Sequence, residues 1–243
     1  MKNGQFDIKA IACDFDSTLT DNRARLNLKA VELIRYLEDN GIRVVLNTSR
    51  DFMTAGSLSI CMGGCGIVSA EDGSVIGGFS DLLKAPMILG NSDKIEKGLQ
   101  ILRQFLGDRL ILYNWPGRIC SAVLSRVDDF SVEEGNKILN DNGTGVKLLD
   151  SGMAYLLVDS CTDKGRGLRE IAQMLNLNTE NFVAIGDNYN DLPMFAAAGY
   201  SIAVGNAPDA VKMMVNYTCQ ANYGDGFCEA IDHVLNLLKP EWR

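Results

Sequence analysis

Short apolar runs alternate with amphipathic segments along most of the chain. The run at residues 11–13 leads into two aspartates, and a second run at 42–46 leads into Asn47-Thr48-Ser49-Arg50. Between them, residues 26–37 carry apolar side chains at helical spacing, and Asn40-Gly41 then supplies a helix stop. This order predicts a right-handed βαβ unit with two parallel strands.

The same alternation returns in the C-terminal part. The pattern predicts a helix over 168–175 and strands over 182–186, 201–204 and 217–219. Such alternation is typical of an α/β fold with a parallel sheet. Residues 67–76 differ, because two apolar runs flank Glu71-Asp72-Gly73 and predict a hairpin.

Residues 82–159 form a block with its own pattern. Helices are predicted over 94–106 and 132–139, and strands over 110–113, 119–125, 146–149 and 154–158. We therefore predict a core domain made of residues 1–81 and 160–243, into which residues 82–159 are inserted as a small α/β domain.

Composition and charge narrow the classes of partner. The 243 residues are 47% hydrophobic, enough for a substantial core, and the net charge is -8. A surface that binds nucleic acid needs clustered Lys and Arg, which this acidic sequence does not show. A small molecule is therefore the expected partner. Residues 52–70 are uncharged but rich in Gly, Ser and Thr, which predicts a helix, a loop and a strand rather than a membrane span. The first residues lack a secretion signal, so we expect a cytoplasmic protein.

The cysteines and the histidine exclude several kinds of chemistry. Seven scattered cysteines fit buried thiols in a reducing compartment. The only histidine, His233, belongs to the apolar pattern of a terminal helix. The absence of any other histidine excludes a phosphohistidine mechanism and weakens the hypothesis of a Ser-His-Asp or Cys-His catalytic group. Carboxylates, lysine and hydroxyl groups are left to carry the chemistry.

Two pairs of aspartates follow predicted strands: Asp14 with Asp16, and Asp187 with Asp191. Alternation along an extended backbone would point Asp14 and Asp16 the same way. Either pair alone is equally well explained as an Asp-rich turn. Because parallel strands end at one edge of a sheet, the two pairs together indicate one site, and a hard cation such as Mg2+ is its expected ligand.

The motifs Asp14-x-Asp16-x-Thr18, Thr48, Lys164 and Gly186-Asp187-x-x-Asn190-Asp191 resemble, in order, the four motifs of the haloacid dehalogenase superfamily. The resemblance covers nearly the whole chain. It implies a Rossmann-like, doubly wound parallel sheet with a cap domain. Ser17 and Ser49 stand where glycine is frequent in that superfamily.

The resemblance also implies a role for each matching residue. Asp14 would be the nucleophile that forms an aspartyl phosphate, and Asp16 the acid and base. The metal ligands would be Asp14, Asp16 (through its carbonyl), Asp187 and Asp191. Phosphate contacts would come from Thr48, Ser49, Lys164 and Asn190.

The position of the insert indicates which branch of the superfamily the chain resembles. Only 34 residues separate Asp14 from Thr48, whereas 116 separate Thr48 from Lys164. Phosphoserine phosphatases, which share the Asp-Phe-Asp-Ser-Thr string, carry their cap in the first interval. A cap in the second interval resembles the C2-type cap of the Cof-like and sucrose-phosphatase-like branch. Within it, Glu71-Asp72-Gly73 and Thr20-Asp21 most resemble archaeal phosphoglycolate phosphatases.

We therefore expect a Mg2+-dependent phosphomonoesterase, with 2-phosphoglycolate as the best single substrate. The alternatives are a sugar-phosphate phosphatase of the sucrose or mannosyl-phosphoglycerate type, a phosphomutase, and a non-catalytic phosphate-binding module. In the insert, Arg118 is the candidate reader of a substrate carboxylate, and a surface turn is the competing interpretation. The sequence does not decide the oligomeric state, and a homodimer stays open.

Overall fold

The structure is a computed structural model that describes residues 7–79, 84–113, 115–152 and 154–238. The strands are β1 (Ala10–Cys13), β2 (Arg43–Asn47), β3 (Ile67–Ala70), β4 (Val75–Gly78), β5 (Met87–Ile88), β6 (Leu112–Tyr113), β7 (Ser121–Leu124), β8 (Val146–Asp150), β9 (Tyr155–Asp159), β10 (Phe182–Gly186), β11 (Tyr200–Ala203) and β12 (Tyr217–Thr218). The α-helices are α1 (Leu28–Asp39), α2 (Phe52–Met62), α3 (Ser92–Leu106), α4 (Val132–Asp141), α5 (Lys164–Met174), α6 (Leu192–Ala197), α7 (Asp209–Lys212) and α8 (Tyr223–Leu237).

The larger sheet has eight strands in the order β12-β11-β10-β1-β2-β3-β4-β5. Pairing is parallel from β12 to β3 and antiparallel between β3, β4 and β5. The central strands β1 and β10 are short apolar runs that are buried on both faces, as parallel strands between two helical layers must be. The predicted doubly wound α/β sheet and its β3–β4 hairpin are confirmed.

The second sheet has four antiparallel strands in the order β6-β7-β9-β8. One face packs on α3 and α4 through a core that includes Leu102, Leu139 and Leu157. The other face carries Val123, Leu156 and further apolar residues in a separate cluster. We call residues 92–159, which form this sheet and its helices, the cap.

Two details of the predicted insert are wrong. The boundary at residue 82 is too early, because β5 pairs with β4 and extends the larger sheet. The predicted strand at 119–125 begins only at Ser121, because the backbone N–H groups of Ile119 and Cys120 are bound by the Glu71 carboxylate.

The uncharged segment 52–70 folds as α2, a short loop and β3, as its glycines predicted. Among the described residues, no helix combines the length and the apolar character needed to cross a bilayer.

Candidate active site

The site lies where the chain reverses its winding direction in the larger sheet. From β1 the chain builds outward through β2 and β3 on one side, and through β10 and β11 on the other. In such sheets, ligands bind beyond the carboxyl ends of the strands at this point. Asp14 directly follows β1, Thr48 follows β2, and Asp187 follows β10, so the parallel pairing brings the predicted motifs to one edge.

Lys164 joins these motifs from the first residue of α5. Its Nζ lies 2.7 Å from Asp14 Oδ1 and 2.5 Å from Asp191 Oδ1, and its side chain is fully buried. Asn47 fixes the start of the helix, because its side-chain amide donates to the Lys164 carbonyl oxygen at 2.7 Å. Burial lowers the pKa of the ammonium, but the Asp14 and Asp191 carboxylates outweigh burial and raise it above its ordinary value. Lys164 is therefore a fixed positive charge.

Asp191 and Asp187 are held by different neighbours. Asp191 Oδ2 accepts the backbone N–H groups of Asp187 and Asn188 at 2.9 and 3.0 Å. Gly186 permits this approach, since a Cβ there would collide with the Asp191 carboxylate. Asp187 Oδ1 accepts the Thr18 hydroxyl at 3.0 Å. Asp191 thus shapes the loop after β10, and the Asp187 side chain reaches the loop after β1.

Three of the predicted metal ligands fit a cation. The side chains of Asp14, Asp187 and Asp191 are buried, and one oxygen of each lies within 4.8 Å of the others. Three carboxylates face one ammonium here, so two negative charges stay unbalanced. Burial and the neighbouring carboxylates raise the pKa of Asp14, and likewise raise that of Asp187 to about 7. A divalent cation with oxygen ligands would balance this charge.

Asp16 lines the same cavity as Asp14, but its carboxylate has a different partner. β1 ends at Cys13, and the chain then turns, with Ser17 in the left-handed region at φ 60. Strand alternation therefore does not apply to the two aspartates. Asp16 instead binds the Arg50 guanidinium through both oxygens, at 2.7 and 2.8 Å. The Asp16 side chain lies outside the carboxylate cluster.

The predicted phosphate ligands occupy different depths. Thr48 is fully buried, and its hydroxyl oxygen accepts the backbone N–H of Arg50. Ser49 and Asn190 line a cavity between the sheet edge and the cap, and the Asn190 side chain donates to buried Asp72 at 3.0 Å. Thr48 therefore supports the loop that carries Ser49 and Arg50 into the cavity.

A cavity of about 450 Å³ separates the sheet edge from the cap. Asp14, Asp16 and Asp187 line its core side, and Arg118 is among the residues that line its cap side. Arg118 Nη1 donates to the Ser121 hydroxyl at 2.9 Å, whereas its buried Nε has no hydrogen-bond partner among the described residues. The cavity thus has acidic groups and Arg50 on its core side and Arg118 on its cap side. A larger cleft of about 1130 Å³ runs along the cap on the far side of Asn190, but Asp14 does not line it.

Sequence reasoning did not single out two residues of the site. Arg50 binds Asp16, and Asn206 donates to both the Ser17 carbonyl oxygen and Asp187 Oδ2. Each lies just beyond the end of a parallel strand, β2 or β11, which is the signal that would have identified them.

The sequence profile described as haloacid dehalogenase-like hydrolase matches residues 11–113 and 120–231. The chain belongs to this family, and its resemblance to curated relatives makes it a phosphatase of that family. It is 34% identical, over 92% of its length, to the phosphoglycolate phosphatase of Methanoculleus marisnigri, of which 95% is covered. It is 33% identical to the phosphoglycolate phosphatase of Archaeoglobus fulgidus, with 96% of this chain and 100% of the relative covered.

Solved structures share the fold at lower sequence identity. A Thermoplasma acidophilum protein superposes with a TM-score of 0.80 at 24% identity, covering 95% of this chain and 99% of the other. The sucrose-phosphatase of Synechocystis, solved with sucrose and phosphate, gives a TM-score of 0.70 at 18% identity, covering 93% and 97%. These similarities show that the fold is shared over nearly the whole chain.

Replacing Lys164 by Met should destabilise the protein. The variant would leave the Asp14 and Asp191 carboxylates buried without their counter-charge, and we expect the free energy of unfolding to fall by about 3–5 kcal/mol at neutral pH. Urea unfolding measures the difference. Lys147→Met is the matched control, because Lys147 Nζ donates to one carbonyl oxygen, that of Thr162. A loss from Lys164→Met no larger than that of the control would contradict the role given to Lys164.

Stabilisation by Mg2+ should depend on pH. A carboxyl group whose folded pKa is raised from 3.8 to about 7 stabilises the fold at low pH, and this contribution is lost as the pH rises through that range. Calorimetry should therefore show that Mg2+ raises the Tm more at about pH 8 than at about pH 5. The difference should shrink in Asp187→Asn, and an equal Mg2+ effect at both pH values in the unmodified protein would count against Asp187 as a ligand.

Proposed function

We propose that this protein is a Mg2+-dependent phosphomonoesterase that works through an aspartyl phosphate on Asp14, with 2-phosphoglycolate as its substrate. The observation that carries the proposal is the position of Asp14. Its carboxylate is held by a buried ammonium at one wall of a cavity, and Arg118 lines the opposite wall.

Asp14 is the group suited to attack phosphorus. A carboxylate and a phosphate ester repel each other, so attack requires fixed positive charge and hydrogen-bond donors around the phosphoryl oxygens. Lys164 supplies such a charge at 2.7 Å from Asp14 Oδ1. An Asp14 oxygen would form the bond to phosphorus while the bond to the ester oxygen breaks. The ester oxygen then leaves with the electron pair.

Asp16 is placed for the proton transfers. It lines the same cavity as Asp14, so its protonated form can give a proton to the leaving oxygen and then take one from the water that attacks the aspartyl phosphate. That attack releases phosphate and restores the Asp14 carboxylate. Because Arg50 now occupies both Asp16 oxygens, Asp16 must exchange this partner before it delivers a proton.

Asp14, Asp187 and Asp191 are the residues that would hold Mg2+, with the Asp16 carbonyl oxygen as the further ligand implied by the family resemblance. Bound there, the ion would neutralise charge on the phosphoryl oxygens. Asn206 and Thr18 orient the Asp187 carboxylate by donating to its two oxygens.

The proposed substrate class follows from Arg118 and from the relatives. An Arg guanidinium can form a two-bond contact with a carboxylate, and Arg118 lines the cavity with its Nη1 anchored on Ser121. Both curated relatives described above carry the name phosphoglycolate phosphatase. In phosphoglycolate, one carbon separates the carboxylate from the phosphate oxygen, so a cation opposite Asp14 suits the carboxylate of this compact leaving group.

Sugar phosphates are the second candidate class. The cavity of about 450 Å³ is larger than phosphoglycolate needs, and Trp115, Thr54 and Ser151 line it with an aromatic ring and hydroxyl groups. Such a lining is typical of sites that bind sugars.

Comparing substrates with and without a carboxylate tests the proposal. We expect Mg2+-dependent phosphate release from phosphoglycolate with a higher kcat/KM than from glucose 6-phosphate or p-nitrophenyl phosphate. Arg118→Ala should lower kcat/KM for phosphoglycolate about 10- to 100-fold, the equivalent of one charged hydrogen-bond pair. It should change kcat/KM for p-nitrophenyl phosphate by less than about threefold.

Arg126→Ala is the matched control, because Arg126 also belongs to the cap but pairs with Asp150 and lines the other cleft. A preference for glucose 6-phosphate would move the assignment to sugar phosphates. Equal losses on both substrates in Arg118→Ala would remove Arg118 as the carboxylate ligand.

A further inference from the structure

Glu71 is a fully buried core carboxylate that binds the cap rather than the reacting groups. Its Oε1 accepts the backbone N–H of Ile119 at 2.8 Å, and its Oε2 accepts the N–H of Cys120 at 2.9 Å. The Ser121 hydroxyl donates to Oε2 at 2.5 Å. Three consecutive cap residues directly after Arg118 are therefore held by one side chain of the larger sheet's hairpin.

This position of Glu71 costs free energy, because its carboxylate is buried and because the backbone of the turn is in an unfavourable conformation. Glu71 and Asp72 both lie in the left-handed region, at φ 51 and 52, which costs about 1 kcal/mol or more for each non-glycine residue. Burying a carboxylate adds a desolvation cost that only good hydrogen bonds offset. Such a turn persists where the surrounding contacts fix it. Here the cap binds the Glu71 carboxylate, and the loop after β2 accepts the backbone N–H groups of Glu71 and Asp72.

Ser121 connects Glu71 to Arg118. A serine hydroxyl has one hydrogen to donate, and Glu71 takes it, so the Ser121 oxygen faces Arg118 only as an acceptor. Arg118 Nη1 donates to that oxygen at 2.9 Å. The chain of bonds from Glu71 through Ser121 to Arg118 thus selects one orientation of the guanidinium and leaves Nε without a partner among the described residues.

We propose that Glu71 is a positioning residue for substrate specificity, which acts through Ser121 to hold Arg118 ready for the substrate carboxylate. This inference rests on the proposed function, because it needs a carboxylate-bearing substrate. Glu71 itself touches no reacting atom. Its effect should therefore appear in the KM of carboxylate-bearing phosphate esters and not in the chemical step.

Two variants test the inference. Ser121→Ala removes the link to Arg118 but leaves the two backbone bonds of Glu71, so the cap stays docked. Glu71→Gln replaces one acceptor oxygen by a donor and leaves at least one of the three cap donors unpaired. We expect KM for phosphoglycolate to rise about threefold to tenfold in Ser121→Ala and about tenfold or more in Glu71→Gln. For p-nitrophenyl phosphate, kcat and KM should stay within about threefold.

The double variants separate positioning from a general structural effect. In an Arg118→Ala background, adding Ser121→Ala or Glu71→Gln should change kcat/KM for phosphoglycolate by less than about twofold, because the residue they position is gone. Glu229→Gln is the matched control. Glu229 also accepts two backbone N–H groups and one hydroxyl, from Gln220, Ala221 and Tyr217, but all of these residues belong to the core domain and none to the cap. Its loss should leave the substrate preference unchanged.

Calorimetry shows whether each variant is folded. If Glu71→Gln does not fold, the test rests on Ser121→Ala alone.

Equal losses on both substrates, or losses that persist in full without Arg118, would overturn the inference and leave Glu71 as a structural contact. If Arg118→Ala is selective while Ser121→Ala and Glu71→Gln are neutral, the inference fails alone. If the unmodified protein hydrolyses p-nitrophenyl phosphate but does not prefer phosphoglycolate, the proposed function fails and the inference fails with it.

Discussion

The buried contact of Lys164 with Asp14 and Asp191 is the interaction on which the rest of the site depends. It joins the end of β1, the first residue of α5 and the loop after β10, which lie far apart in sequence. Burying an ammonium or a carboxylate is costly, and here the buried ammonium and the carboxylates compensate each other's charge. Lys164 therefore fixes the relative positions of these three elements before any substrate binds.

The same contact leaves the site short of positive charge. Burial raises the pKa of Asp14 and Asp187, and the neighbouring carboxylates, which outnumber Lys164, raise it further. A divalent cation bound there would balance the carboxylates. Lys164 would then keep its positive charge beside the nucleophile and near the phosphoryl group. The cap adds Arg118 on the opposite wall of the cavity.

The sheet and the positions of Asp14, Asp187 and Asp191 were predictable, because strand periodicity and parallel pairing determine which residues meet at one edge, whereas Lys164 was predicted through the family resemblance. The partner of the Asp16 carboxylate was not predictable, since it is a guanidinium 34 residues away. The place of β5 and the contacts of Glu71 with the cap also escaped the sequence. Both depend on tertiary pairing between segments that carry no local signal of each other.

The most direct test of the central claim is to trap the covalent intermediate. The protein is quenched in acid during Mg2+-dependent turnover of p-nitrophenyl phosphate, reduced with borohydride, and digested for mass spectrometry. Borohydride converts an aspartyl phosphate into homoserine, so the account predicts homoserine at position 14 and nowhere else, and none when substrate is omitted. Homoserine at another aspartate, or none during active turnover, would contradict Asp14 as the nucleophile.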